Sequence, residues 1–145
     1  MRQKIVLVLF LLLILFVFYE RFDWFFEQTS EGQTQSAELL KNAYENRISN
    51  LQVEGRGTVK AVLKDDTRGS RHQRFILSLA NDQTILIAHN IDLAPRIDNL
   101  RKGDEVVFFG EYEWNNKGGV IHWTHHDPDK KHVDGWIKHN DRVYR

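Results

Sequence analysis

From Leu51 to Thr124 apolar and polar residues alternate in five short segments divided by turn-forming clusters, a period-two pattern that belongs to strands. The first segment, Leu51 to Leu63, carries glycines at 55 and 57, as expected of a long strand that bends. Asp65 to Ser70 is a turn by composition. Arg71 to Leu79 and Thr84 to His89 flank a turn near Asn81 and Asp82 and make a hairpin. Ile91 to Leu100, interrupted by Pro95, is expected to be a loop with at most a helical turn. Lys102, Gly103 and Asp104 lead into a fourth strand ending near Trp114, Asn115 to Gly119 turns the chain back, and Val120 to Thr124 makes a fifth. Phe108, Tyr112 and Trp114 share a face of the fourth strand and are assigned to the core. Five strands with an insertion between the third and fourth predict a mainly β domain over residues 51–145, a five-stranded OB-fold-like barrel with a His- and Trp-rich C-terminal segment.

Ahead of the barrel, Arg2 and Lys4 precede the unbroken apolar run Ile5 to Phe18. The run has the length of a secretory signal core, about 7–15 residues, but residues 19–26 offer no Ala, Gly or Ser to a peptidase. If the helix continues to Phe26, with Arg21 snorkelling and Trp24 at the interface, residues 5–26 approach the roughly 20 needed to span a bilayer. Residues 1–26 are therefore expected to be a signal anchor with the N-terminus in the cytoplasm and the domain outside it. A cleaved signal peptide and secretion is the alternative. Residues 27–35 are polar and are expected to form a tether. Ser36 is placed as the cap of a helix running to about Ile48 within residues 36–50, either a lid on the barrel or a spacer from the membrane.

Lysine plus arginine equals aspartate plus glutamate, so no global field pulls the chain toward nucleic acid. The absence of cysteine excludes disulfides, thiolate zinc sites, iron–sulfur clusters and a cysteine nucleophile. The glycines follow no dinucleotide or phosphate-loop spacing, and Ser70, two residues from His72, lacks a recognisable third triad member.

The segments GSRHQRFIL from Gly69, IAHNIDLAPRI from Ile87, GEYEW from Gly110 and GGVIHWTHHDP from Gly118, followed by His132 and GWI from Gly135, occur in that order. Together they resemble a bacterial family of small exported proteins known as domain of unknown function 3465. The resemblance covers about Gln52 to Tyr144. It implies an exported protein, in keeping with the N-terminus, and implies no activity.

Two groups of side chains invite chemistry. Five of the seven histidines lie between Gly118 and His139. If the last strand ends near His125, as Asp127 and Pro128 suggest, His125 or His126, Asp127 and His132 can converge as nitrogen and oxygen ligands of zinc or a similar divalent metal. Alternatively these imidazoles hydrogen-bond to backbone and stack on Trp123 and Trp136, fastening the tail to the barrel. The second group is basic. Arg68, Arg71, His72 and Arg74, with His89 expected nearby on the third strand, would make an anion site on the face that OB-type barrels use for ligands. Arg56, Lys60 and Lys64 add to this local excess. Two functions follow: an extracytoplasmic binding module for an anionic ligand, a nucleic acid or a protein partner, or a metal-assisted hydrolase acting near Arg71 and Arg74.

Overall fold

The computed structural model describes residues 2–145, with side chains described at 9–22 and 31–145. The chain forms two compact units, 1–32 and 33–145. The helix α1, Arg2–Glu45, runs from the first into the second. Strands follow as β1, Leu51–Val62; β2, His72–Ser78; β3, Thr84–Asn90; β4, Glu105–Glu113; β5, Val120–His122; β6, Trp136–His139; and β7, Arg142–Tyr144.

The described apolar side chains of the first unit, Leu9 to Tyr19 and Phe22, are exposed. Among the described residues no helix is long and apolar enough to cross a membrane. Arg2, Lys4, Trp24, Phe25 and Phe26, which entered the expectation of an anchor, lie outside the residues whose side chains are described.

Residues 27–35, expected to be a tether, are helical, and α1 continues through them. Their glutamates and glutamines are good helix formers, and a polar sequence can propagate a helix anchored at its ends. Ser36 is correspondingly not a cap. Its hydroxyl donates to the Gln33 carbonyl one turn back, and the helix stops at Glu45. In the second unit the last turns of α1 bury Ala37, Leu40 and Ala43 in the barrel core, so this segment acts as a lid. Asn81 Nδ2 donates to Ala37 O, and Trp114 Nε1 donates to Tyr44 O while stacking on the Tyr44 ring.

The strands close in the order β1-β2-β3-β5-β4 and back to β1, a five-strand barrel with β3 and β5 parallel and the other pairs antiparallel. One long strand serves two neighbours: Leu51 to Thr58 pairs with β4, and Thr58 to Val62 pairs with β2 across a register shift between Val59 and Ala61. Gly55 lets the strand pass close to the Phe108 ring, from which a Cβ there would lie 2.5 Å. Phe75, Leu77, Ile85, Ile87, Val106, Phe108, Tyr112 and Ile121 fill the interior, as period-two alternation requires. The 91–100 segment is held by Gln73, which is buried and both donates to and accepts from the Ile97 backbone at 2.9 Å.

The second edge of β4 is shared end to end. β5 pairs with Glu111 to Glu113, and β6 pairs with Val107 to Phe109. Residues 123–135 leave the sheet between these two pairings. Strands β6 and β7 were not expected from the sequence, and β5 is shorter than the expected Val120 to Thr124.

Candidate functional site

The hairpin carrying the basic residues has a register one residue away from the simplest expectation. A two-residue turn at Asn81 and Asp82 would pair Arg74 with His89. The observed turn leaves Ala80, Asn81 and Asp82 between Leu79 and Gln83, with Asp82 at φ 62, so Gln73 pairs with His89 and Arg74 with Ala88. A one-residue slip reverses the face of every side chain. His89 therefore points inward and is fully buried, away from His72 and Arg74. Its Nε2–H donates to Pro95 O at 3.3 Å and its Nδ1 accepts the Thr124 hydroxyl at 2.9 Å. Burial lowers its pKa to about 4, so the ring is neutral.

Outside, Arg71 is committed to Asp92: its Nε meets Oδ1 at 2.6 Å and its backbone N–H meets Oδ2 at 2.7 Å. The Arg71 backbone bond, then its guanidinium, hold Asp92 below the usual carboxylate range. Arg74 differs, because Nε and Nη2 donate to the Lys64 carbonyl at 3.2 and 3.0 Å. That partner is neutral, so the side chain is oriented without losing its charge. Arg68 gives its backbone N–H to Asp66 Oδ1, and among the described residues its guanidinium is in no ion pair, though that bond and then the Arg74 and Arg68 charges hold the Asp66 carboxyl below its usual range. His72 Nδ1–H donates to Ser70 O at 2.8 Å.

The histidine segment folds as a clasp. Trp123 adopts φ 51 directly after β5, which ends the strand two residues before the expected Thr124. His125 is buried and its Nδ1–H donates to the His126 carbonyl at 2.8 Å. His126 is exposed and meets Asp134 Oδ2 at 2.7 Å. The Asp127 carboxylate accepts the backbone N–H groups of Asp129, Lys131 and His132 at 2.7–3.0 Å. Burial alone would raise its pKa, but those bonds hold it below the usual range. His132 stacks on Trp123 with centroids 3.7 Å apart and planes at 14°. The side chains expected to converge on one ion are thus engaged separately, chiefly in fastening the loop. Trp136 lies against Phe109 instead of a histidine, and His139 binds Asp104 at 2.9 Å, tying β6 to the turn before β4.

Among the described residues, the one group of three or more metal-ligating side chains with ligand atoms all within 4.8 Å is Glu111, Glu113 and His122. Alternation sets the two glutamates on the outer face of β4, and the register puts His122 opposite Glu111. His122 Nε2 lies 3.4 Å from Glu111 Oε1, too poorly aligned for a hydrogen bond. Burial lowers the His122 pKa more than the nearby Glu111 and Glu113 carboxylates raise it. Sequence reading passed over this group. Counting back through the Asn115 to Gly119 turn, which pairs Glu113 with Val120, would have set Glu111 across from His122.

Fold and site together define a mainly β protein, a closed five-strand barrel with an imidazole–carboxylate cluster on its outer wall and a histidine-rich clasp beside it. The profile of the family described as protein of unknown function (DUF3465) matches residues 26–145, and the chain belongs to that family. No curated protein matches its sequence.

Proposed function

We propose that this chain is an OB-type binding module, kept outside the cytoplasm by its apolar N-terminal segment, that takes an anionic ligand on the outer face of β2 and β3. The observation that carries the proposal is the state of Arg74 and Arg68. Arg74 is aimed by a neutral carbonyl, and among the described residues neither Arg74 nor Arg68 is engaged in an ion pair, Asp66 being the nearby carboxylate whose pKa both guanidiniums help to lower. A guanidinium that is oriented but not neutralised is suited to phosphate, sulfate or carboxylate. The barrel interior is filled with side chains, which leaves the outer surface for a ligand. His89 has no part in this face. Arg71 contributes less, because Asp92 already answers its charge.

The test is a salt titration of full-length protein with a short single-stranded oligonucleotide and, separately, a sulfated oligosaccharide. Replacing Arg68 and Arg74 together by glutamine should weaken binding and reduce the slope of log K against log salt for the oligonucleotide by about 1.4, roughly 0.7 per lost contact to a single strand. Arg71→Gln should change it less. Equal affinity and slope in wild type and the double variant would reject the face.

Metal-assisted hydrolysis is the second reading, favoured by one alignment. Arg74 is level with Ala88 on β3; one step beyond the parallel pairing of Ile87 with Ile121, Ala88 is level with His122, which pairs with Glu111. This outward row sets the strands of Arg74 and His122 about 10 Å apart, two strand spacings. An ion serving such a reaction would sit at the β4–β5 end of that row and not among His125, His126 and Asp127.

A further inference from the structure

The wall where β4 and β5 meet carries chemistry that anion binding at Arg68 and Arg74 does not use. Glu111 and Glu113 stand two residues apart on one strand and so project the same way, and His122 is the cross-strand partner of Glu111. The geometry points to a binding site for a first-row divalent transition-metal ion held by Glu111, Glu113 and His122, with His132 completing the set from the 123–135 excursion.

The donor set selects the class of ion. Two carboxylates with imidazole nitrogen suit zinc, manganese or ferrous iron, whereas calcium and magnesium take oxygen ligands. The state of His122 is an independent argument: its Nε2 is shielded from solvent and makes no hydrogen bond. A buried polar atom without a hydrogen-bond partner is destabilising, and coordination through that nitrogen would give it a partner. Each neighbour is already positioned. Glu113 Oε1 accepts the Asn50 backbone N–H at 3.2 Å, which fixes its carboxylate from the α1–β1 corner. Glu111 has His122 at 3.4 Å from Oε1 and His132 Nδ1 at 3.6 Å from Oε2, so the two imidazoles flank one carboxylate. His132 reaches this point because its ring lies flat on Trp123 and its backbone N–H is held by Asp127. The clasp thus presents a ligand, and Asp127 serves by shaping the loop instead of touching the ion.

The site is tested on the full-length chain in detergent, stripped with a chelator and titrated with zinc chloride by calorimetry, with tryptophan fluorescence followed in parallel because Trp123 covers His132. Wild type should bind one ion per chain. Glu111→Gln and His122→Gln should each lose at least about tenfold in affinity, since loss of a direct ligand costs no less than loss of an outer-shell partner. His132→Gln should weaken binding less and abolish the fluorescence change. His126→Gln, which alters a clasp pair outside the group, should weaken binding no more than His132→Gln does. Metal-free melting of every variant checks folding, and Glu113→Gln substitutes for any variant that does not fold. Wild-type affinity in Glu111→Gln and Glu113→Gln, or loss of binding in His126→Gln alone, overturns the site, as does the absence of zinc binding by the wild type.

Discussion

His89 is wedged between Thr124 and Pro95 with no surface on water, and its Nδ1 is occupied as an acceptor. Protonation would place a charge in the core and a second N–H where a hydroxyl already donates. With a native pKa of about 4 against 6.5 in the unfolded chain, the unfolded state binds a proton between those values that the native state does not. Stability therefore falls as pH drops from 6.5 to 4 and is insensitive to this group above 6.5. The 2.5-unit gap corresponds to a loss of about 3 kcal/mol once both states are protonated. Urea unfolding from pH 7 to 4 should show this decline, and His89→Gln should flatten it; parallel profiles for the two proteins would contradict the assignment. At this scale the sequence was legible in composition and not in direction. His72, Arg74 and His89 were visible as candidates, but one extra turn residue, with Asp82 in the left-handed region, decided which of them face water. The Glu111, Glu113 and His122 group was hidden for a related reason, because none of these residues stands out until two strands are paired.

Among the elements, the switch from β5 to β6 along β4 depends on close backbone approach. A Cβ on Gly135 would lie 2.0 Å from the Trp123 carbonyl oxygen and 2.5 Å from that of Phe109, atoms that cannot yield without moving strands. Gly135→Ala should destabilise the domain by about 1–3 kcal/mol, the range for overpacking, and speed amide exchange in β6 and β7. Unchanged stability would mean that the clasp is not seated on the barrel. Leu40→Ala should cost about 2–5 kcal/mol, because the end of α1 is part of the core and not a spacer. β1 to β4 were readable because each alternates over at least seven residues between turn formers, and the three-residue β5 because the Asn115 to Gly119 turn folds the chain back onto β4. Strands β6 and β7 were not, since four and three residues carry too little periodicity and their pairing comes from an edge that β5 leaves open. The helical state of residues 27–35 was equally hidden, for a polar stretch with no face to bury reads the same whether helical or extended.

For the whole molecule, the proposal joins an apolar N-terminal segment to a barrel that takes ligands on its outer wall. Full-length protein should fractionate with membranes and be digested by protease added outside the cytoplasm, whereas a mature N-terminus beyond residue 26 would favour secretion after cleavage. The measurement closest to the central claim is amide chemical-shift mapping of the full-length chain titrated with the short oligonucleotide. Shifts should concentrate at Lys64, Arg68 to Arg74 and Ala88 to Asp92, and shrink as salt is raised. Shifts confined to β6, β7 and the 123–135 loop, or none at low salt, would contradict it.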